Sequence, residues 1–365
     1  MKIQDITSLL EKMAPPSLQE SYDNAGLLTG SAAMECTGVV VSLDATEAVI
    51  DEAIAKGCNM VVAHHPIIFK GLKKITGRNY VEQTIIKAIK NDIAIYAIHT
   101  NLDNVMSGVN GRIADKLGLK NRKILLPKED MLRKLAVFVP AAHREQLADA
   151  LFAAGAGNIG NYSDCSFSTE GTGSFKGNND TNPYVGKPGE RHHEAEAKLE
   201  VIFPVWLERP VLSAMRKAHP YEEIAFDIYS LANSYEQTGS GLVGEMEQEM
   251  SEKDFLGLLK EIFKLSVIRH TGFTGKPVKK VALCGGAGSF LTGAAKAAGA
   301  QVYVSSDIKY HEFFDAEGVL MLADIGHYES EQFTTDLLLE VLRENFPTFA
   351  LLKSGVQTNP VHYFL

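Results

Sequence analysis

The sequence has no block of lysine and arginine, and its 36 basic residues are outnumbered by 45 acidic ones, for a formal net charge of −9. Direct nucleic-acid binding lacks its electrostatic footprint and is not expected. No apolar run approaches the roughly 18 residues of a membrane span. The opening stretch, MKIQDITSLLEKMAPP, carries acids inside a short amphipathic pattern, unlike a secretory signal. The four cysteines, Cys36, Cys58, Cys165 and Cys284, form no CxxC pair. That argues against a thiolate zinc site and fits a reduced, cytoplasmic chain. No recognisable elbow marks a serine or cysteine hydrolase. The glycine turn GGAGSF (285–290) matches neither GxGxxG nor the P-loop spacing, and a tight turn with close backbone packing explains it as well.

What the chain does have is apolar runs that end in histidine and carboxylate. The run VVAHHP (61–66) ends in His64 and His65, and Pro66 forbids the strand from continuing. Successive side chains on a strand point to opposite faces, so two adjacent histidines that both act must sit where strand gives way to loop. Open α/β sheets keep their chemistry there, beyond the carboxyl ends of the strands. A second run, 93–98, ends in HTNLD (99–103), and a third, 319–323, ends in DIGHYESE (324–331).

Each cluster has a bland reading. A lone histidine is often a satisfied core residue, but burying two adjacent imidazoles without partners is expensive, so ligation is favoured for His64 and His65. His327 and Glu331 lie four apart, on one helix face, a spacing also common on solvated helices. Asp103 either caps a turn or joins the histidines as a ligand. Three histidines and two carboxylates exceed what one four-coordinate ion needs. They suit two cations sharing a carboxylate, about 3.5–4 Å apart. Mixed nitrogen and oxygen donors favour Zn, Mn, Fe, Co or Ni over Mg or Ca. Asp307 and His311, in SSDIKYH (305–311), read either as a cap and a surface histidine or as support and acid–base groups beside the metals. His192-His193, within RHHEAEAK, is expected to be solvated, and His219–Glu223 (HPYEE) to be a helix cap or an interface.

The length, 365 residues with 45% hydrophobic, suggests two domains or one with an insertion. Strand 39–43, a helix opened by Thr46, strand 58–63, a helix marked by Val81, Ile85, Ile86 and Ile89, and strand 93–98 argue for parallel βαβ units. From 127 the character changes. Strand 134–139, helix 144–154, a long loop from 157 to about 190, strand 199–203, helix 210–218 and strand 224–230 follow one another. That order suggests a ferredoxin-like α+β module. Residues 235–244 read as a return linker, and helix 251–264, strands 278–283, 302–305 and 319–323 and an amphipathic closing helix complete the chain. The expected fold class is α/β: a layered main domain of two α/β halves (1–126 and 240–365) with an inserted ferredoxin-like α+β domain (127–239).

YDNAGL (22–27), SLDAT (42–46), AHHP (63–66), HTNLD (99–103), GGAGS (285–289), SSDIKYHE (305–312) and DIGHYESE (324–331) fall in the order of a known family. The chain resembles the toroidal, dinuclear-metal-centre proteins called GTP cyclohydrolase 1 type 2 homologues, or the Nif-three-like family. Its middle, including AHPYEEIAFDIY (218–229), is similar to the PII/CutA-like insertion of longer members. Tyr22 stands where many members have tryptophan. The resemblance implies that His64, His65, Asp103, His327 and Glu331 bind two divalent cations, with Glu331 as the bridge. It also implies a homohexameric ring, a metal-dependent hydrolase, and a small-molecule or nucleotide substrate. Asp307 or His311 would relay protons. The alternative is a non-catalytic ring that stores, delivers or senses metal.

Overall fold

A computed structural model of the chain describes residues 1–364. The chain divides into two compact units, Met1–Pro127 with Glu236–Leu365, and Lys128–Tyr235.

The first unit holds two sheets. In the five-stranded sheet the order is Gly26–Thr29, Ala94–Ala97, Met60–His65, Val39–Asp44, Leu351–Lys353. All neighbours are parallel except Gly26–Thr29, which pairs antiparallel at the edge. The β-branched runs at 39–41 and 61–62 suit strands covered on both faces, and both are buried there. Helix Glu47–Ala55 starts where the Thr46 hydroxyl accepts from Val49 N, and Tyr80–Lys90 where the Asn79 side chain accepts from Glu82 N. Their apolar stripes close a core around Val40, Val49, Ile50, Val61 and Ile85. Each such side chain contributes about 1.5–3 kcal/mol of burial.

The six-stranded sheet has the order Arg269–His270, Met321–Asp324, Val302–Ser306, Val278–Ala287, Tyr235–Met250, Lys120–Lys128. Its central three strands are parallel, and Tyr303, Leu291, Leu320 and Leu322 pack beneath them. Two α/β halves are thus present. In both, parallel strands end on the side where the His and Asp/Glu clusters occur.

Two expectations are corrected. Residues 235–244 are not a linker but the start of a 16-residue strand, antiparallel to Val278–Ala287. Its three glycines hide the alternation that would have marked it. The loop expected from 157 to about 190 contains the strand Ser166–Phe175, and the charged RHH stretch opens the strand His192–Pro204.

In the second unit the sheet order is Ser166–Phe175, His192–Pro204, Leu132–Pro140, Phe226–Leu231, with every neighbour antiparallel. Helices Arg144–Ala153 and Glu208–Ala218 cover one face over Leu135, Val137, Leu147, Leu199, Phe203 and Met215. No helix among the described residues is long and apolar enough to cross a membrane.

Candidate metal centre

The strand Met60–His65 delivers both imidazoles at its carboxyl end. The parallel register sets Asp44, last in its own strand, directly beside His65. After strand Ala94–Ala97, His99 caps the short helix Thr100–Asp103, and after Met321–Asp324 the positive φ of Gly326 turns the chain into helix His327–Glu331. Elements far apart in sequence therefore bring His64, His65, Asp103, His327 and Glu331 together.

They form two triads that share Glu331. In one, His64 Nε2 lies 3.7 Å from Asp103 Oδ1 and 3.7 Å from Glu331 Oε1. In the other, Glu331 Oε2 lies 2.9 Å from His65 Nε2 and 3.2 Å from His327 Nε2, and the two imidazole nitrogens are 3.3 Å apart. His64 is fully buried and Glu331 is 3% exposed.

Each imidazole is held from behind by its other nitrogen. His64 Nδ1–H donates to Ile98 O at 2.8 Å, His65 Nδ1–H to Asp44 Oδ1 at 2.8 Å, and His327 Nδ1–H to Asp307 Oδ2 at 2.7 Å. Such partners fix the tautomer and aim the Nε2 lone pair inwards. Asp307 sits in left-handed backbone (φ +53°) directly after strand Val302–Ser306. Strained backbone that persists in this way is common at functional sites.

The electrostatics among the cluster's own side chains are unbalanced. Burial pushes the His64 pKa down, against the pull of the neighbouring Glu331 carboxylate. Loss of solvent and the nearby Glu331 charge push the Asp103 carboxyl well above the usual carboxylate range. Burial alone would raise Glu331 too, but His64, His65 and the His327 hydrogen bond hold it well below. Against the cost of burial, Glu331 and Asp44 raise His65 to about 9. Asp307 and Glu331 likewise raise His327 to about 11. His64 Nε2 and Asp103 Oδ1 are buried with no hydrogen-bond partner. Buried polar atoms are nearly always paired, so these two unpaired donors facing each other fit a cation between them.

Three features go beyond the five expected ligands. His99 approaches His64 and His65 closely enough for the three to form a further donor group. Its Nδ1–H donates to Asp23 Oδ1 at 2.8 Å, and that carboxylate, also held by Thr100, has its pKa lowered to about 2 although burial opposes this. A pairing across 76 residues leaves no local signal. Third, the GGAGS turn makes room for the centre. A Cβ on Gly286 would lie 2.4 Å from Glu331 Oε1, and its φ of +64° also favours glycine. By contrast His311 is exposed, with its ring against Tyr310 and Phe314, and it lines neither cavity that touches His327.

A cavity of about 390 Å³ opens on the cluster, with Tyr22, Phe69 and Phe290 among its walls beside His65, His99 and His327. A second, of about 410 Å³, reaches His65 and His327 from the side of Asp44 and Asp307.

The chain is 40% identical over 363 residues to the GTP cyclohydrolase 1 type 2 homolog of Halalkalibacterium halodurans, covering 98% of this chain and 97% of the relative. It is 42% identical over 327 residues to the protein of that name from Bacillus subtilis, covering 89% of this chain and 88% of the relative. The crystal structure of a Bacillus cereus protein related to NIF3 superposes with a TM-score of 0.86 at 38% identity, over 100% of this chain and 99% of that one. Residues 1–360 match the family described as Duf34/NIF3 (NGG1p interacting factor 3), and the chain belongs to it.

Proposed function

We propose that the chain is a dinuclear, divalent-metal-dependent hydrolase. His64 and Asp103 would hold one cation, His65 and His327 the other, and Glu331 would bridge them with one oxygen to each. The observation that carries this reading is the pair of orphaned, buried donors, His64 Nε2 and Asp103 Oδ1, beside a carboxylate whose two oxygens face different triads. When bound, such a pair supplies Lewis-acid activation of water and of the bond under attack. Zn, Mn, Fe, Co and Ni all suit the donor set.

The protein's own part is to orient and enclose. Ile98 O, Asp44 and Asp307 hold the outer nitrogens, so that every Nε2 points at the centre without a search. Asp307 acts here by positioning His327, which replaces the proton relay considered from sequence. His311 has no place at the centre in this reading. The first cavity offers space for a small substrate, and a nucleotide is the candidate because relatives at 40–42% identity are named GTP cyclohydrolase 1 type 2 homolog.

The inserted stretch 127–239 is read as a ferredoxin-like, PII/CutA-like domain, supported by the compactness of Lys128–Tyr235 and its antiparallel strand order. On the family resemblance the assembly is a homohexamer. A cytoplasmic setting suits four cysteines that are all free. A second reading, a metal-storing or regulatory protein, is favoured by His99, whose approach to His64 and His65 supplies a donor that would close a position open in a catalytic site.

The test is metal analysis of untagged protein followed by turnover assays on GTP and a nucleotide panel. Two divalent ions per chain with hydrolysis are expected. Two ions without turnover across the panel would transfer the case to the second reading, and no bound metal would sink both.

A further inference from the structure

The second unit carries a cavity that the metal centre does not explain. It has a volume of about 260 Å³ and is lined entirely by residues of Lys128–Tyr235. Four aromatic residues line it, Phe138, Phe175, Tyr184 and Tyr221. Tyr221 is 5.9 Å from Phe175 and 6.2 Å from Tyr184, centroid to centroid, with tilted or edge-on planes. Glu196, Glu222 and Glu223 add three carboxylates against one ammonium, that of Lys176.

The arrangement is built rather than incidental. Tyr221 OH donates to Glu196 Oε1 at 3.0 Å. The carboxylate of Glu196 lies over Gly173, where a Cβ would come within 2.0 Å of Oε2. Tyr221 is fixed in turn by a buried histidine. His219 Nε2–H donates to Phe138 O at 2.9 Å, and His219 Nδ1 accepts from Tyr221 N at 3.0 Å. The HPYEE stretch, read from sequence as a cap or interface, therefore orients a ring and presents two acids at one cavity.

Aromatic faces and carboxylates both attract positive charge. A neutral apolar occupant would leave the charge of Glu196, whose partner here is the Tyr221 hydroxyl, without a counter-charge in the cavity, and an anion would be repelled. A bare metal ion is not served either, since every group of three ligating side chains among the described residues lies in the first unit. We propose that this cavity binds a small organic cation, an ammonium carrying alkyl groups. The alkyl groups lie against the rings of Phe175, Tyr184 and Tyr221, and the charge is balanced by Glu196.

Calorimetric titration of the full chain with choline, with tetramethylammonium, and with the uncharged choline analogue in which carbon replaces nitrogen tests this. At least one cation should saturate, and the uncharged analogue should bind about tenfold or more weakly relative to choline. Y184A and E196Q should each weaken cation binding several-fold while Y184F retains it. Tyr184 is 55% exposed, so Y184A should keep the fold, with circular dichroism as the check. The proposal is overturned if neither cation saturates, if charge makes no difference, or if folded Y184A and E196Q both bind as the wild type does.

Discussion

Asp44 and His65 end adjacent parallel strands in register, and their side chains meet at 2.8 Å. The other oxygen of Asp44 accepts from the Thr358 hydroxyl at 2.5 Å, from a C-terminal stretch without regular structure. That same stretch reaches the opposite half of the unit, where the Asn359 amide donates to Glu329 Oε1 at 3.1 Å. Sheet register and tail thus combine to aim one imidazole.

The first prediction concerns that chain of contacts. Removing a partner behind a ligating histidine lowers metal affinity by about 10–100-fold in comparable sites. T358V should weaken metal binding by about tenfold and T358S should restore it, as read by competition with a coloured chelator. Equal affinity for wild type and T358V would show that Asp44 holds His65 without the tail.

A second prediction follows from Gly286. Alanine there meets two penalties: left-handed backbone, at about 1–2 kcal/mol, and a methyl 2.4 Å from Glu331 Oε1. G286A should lower the melting temperature and, on the dinuclear reading proposed above, reduce the amount of metal bound. Loss of stability with metal content unchanged would separate the turn from the centre.

How much of this was visible in the chain itself depended on locality. The strand ends at His64-His65, His99 and Asp324 announce themselves because apolar β-branched runs stop at polar clusters. Ser166–Phe175 does not, because almost all of it is exposed and its Gly, Ser and Thr carry no apolar alternation. The roles of Asp23, Asp44 and Gly286 depend on pairings far apart in sequence. Asp44 could be read as the end of a strand, but only the register with Met60–His65 makes it the partner of His65. His311 failed to join for a related reason: the chain leaves the strand Val302–Ser306 at Asp307 and carries the following helical turn outward.

The third prediction is a pH dependence. In the metal-free chain His65 is raised to about 9 and His327 to about 11, against an unfolded value near 6.5. Both folded values lie above the unfolded one, so these protons stabilise the metal-free fold fully below about pH 6.5 and progressively less as pH rises through 9 towards 11. Metal must displace the same protons, so affinity should climb between pH 7 and 9, with protons released into weakly buffered solution on loading. A flat affinity across that interval, or no proton release, would contradict the assignment of His65 and His327 as ligands.

The last prediction uses the conflict between Asp103 and Glu331. Without a cation, the Glu331 charge and loss of solvent both disfavour an ionised Asp103, and its Oδ1 has no hydrogen-bond partner. Leaving a buried polar group unmatched costs about 1–3 kcal/mol. D103N removes the like-charge repulsion at nearly constant shape, so the metal-free variant should melt at or above metal-free wild type. The amide is a poorer ligand than the carboxylate, so the order should invert after metal is added, with the wild type gaining more. Differential scanning calorimetry with and without a stoichiometric excess of Zn reads both halves of the comparison. A variant that is less stable than wild type in both conditions would mean that Asp103 serves the fold rather than a metal.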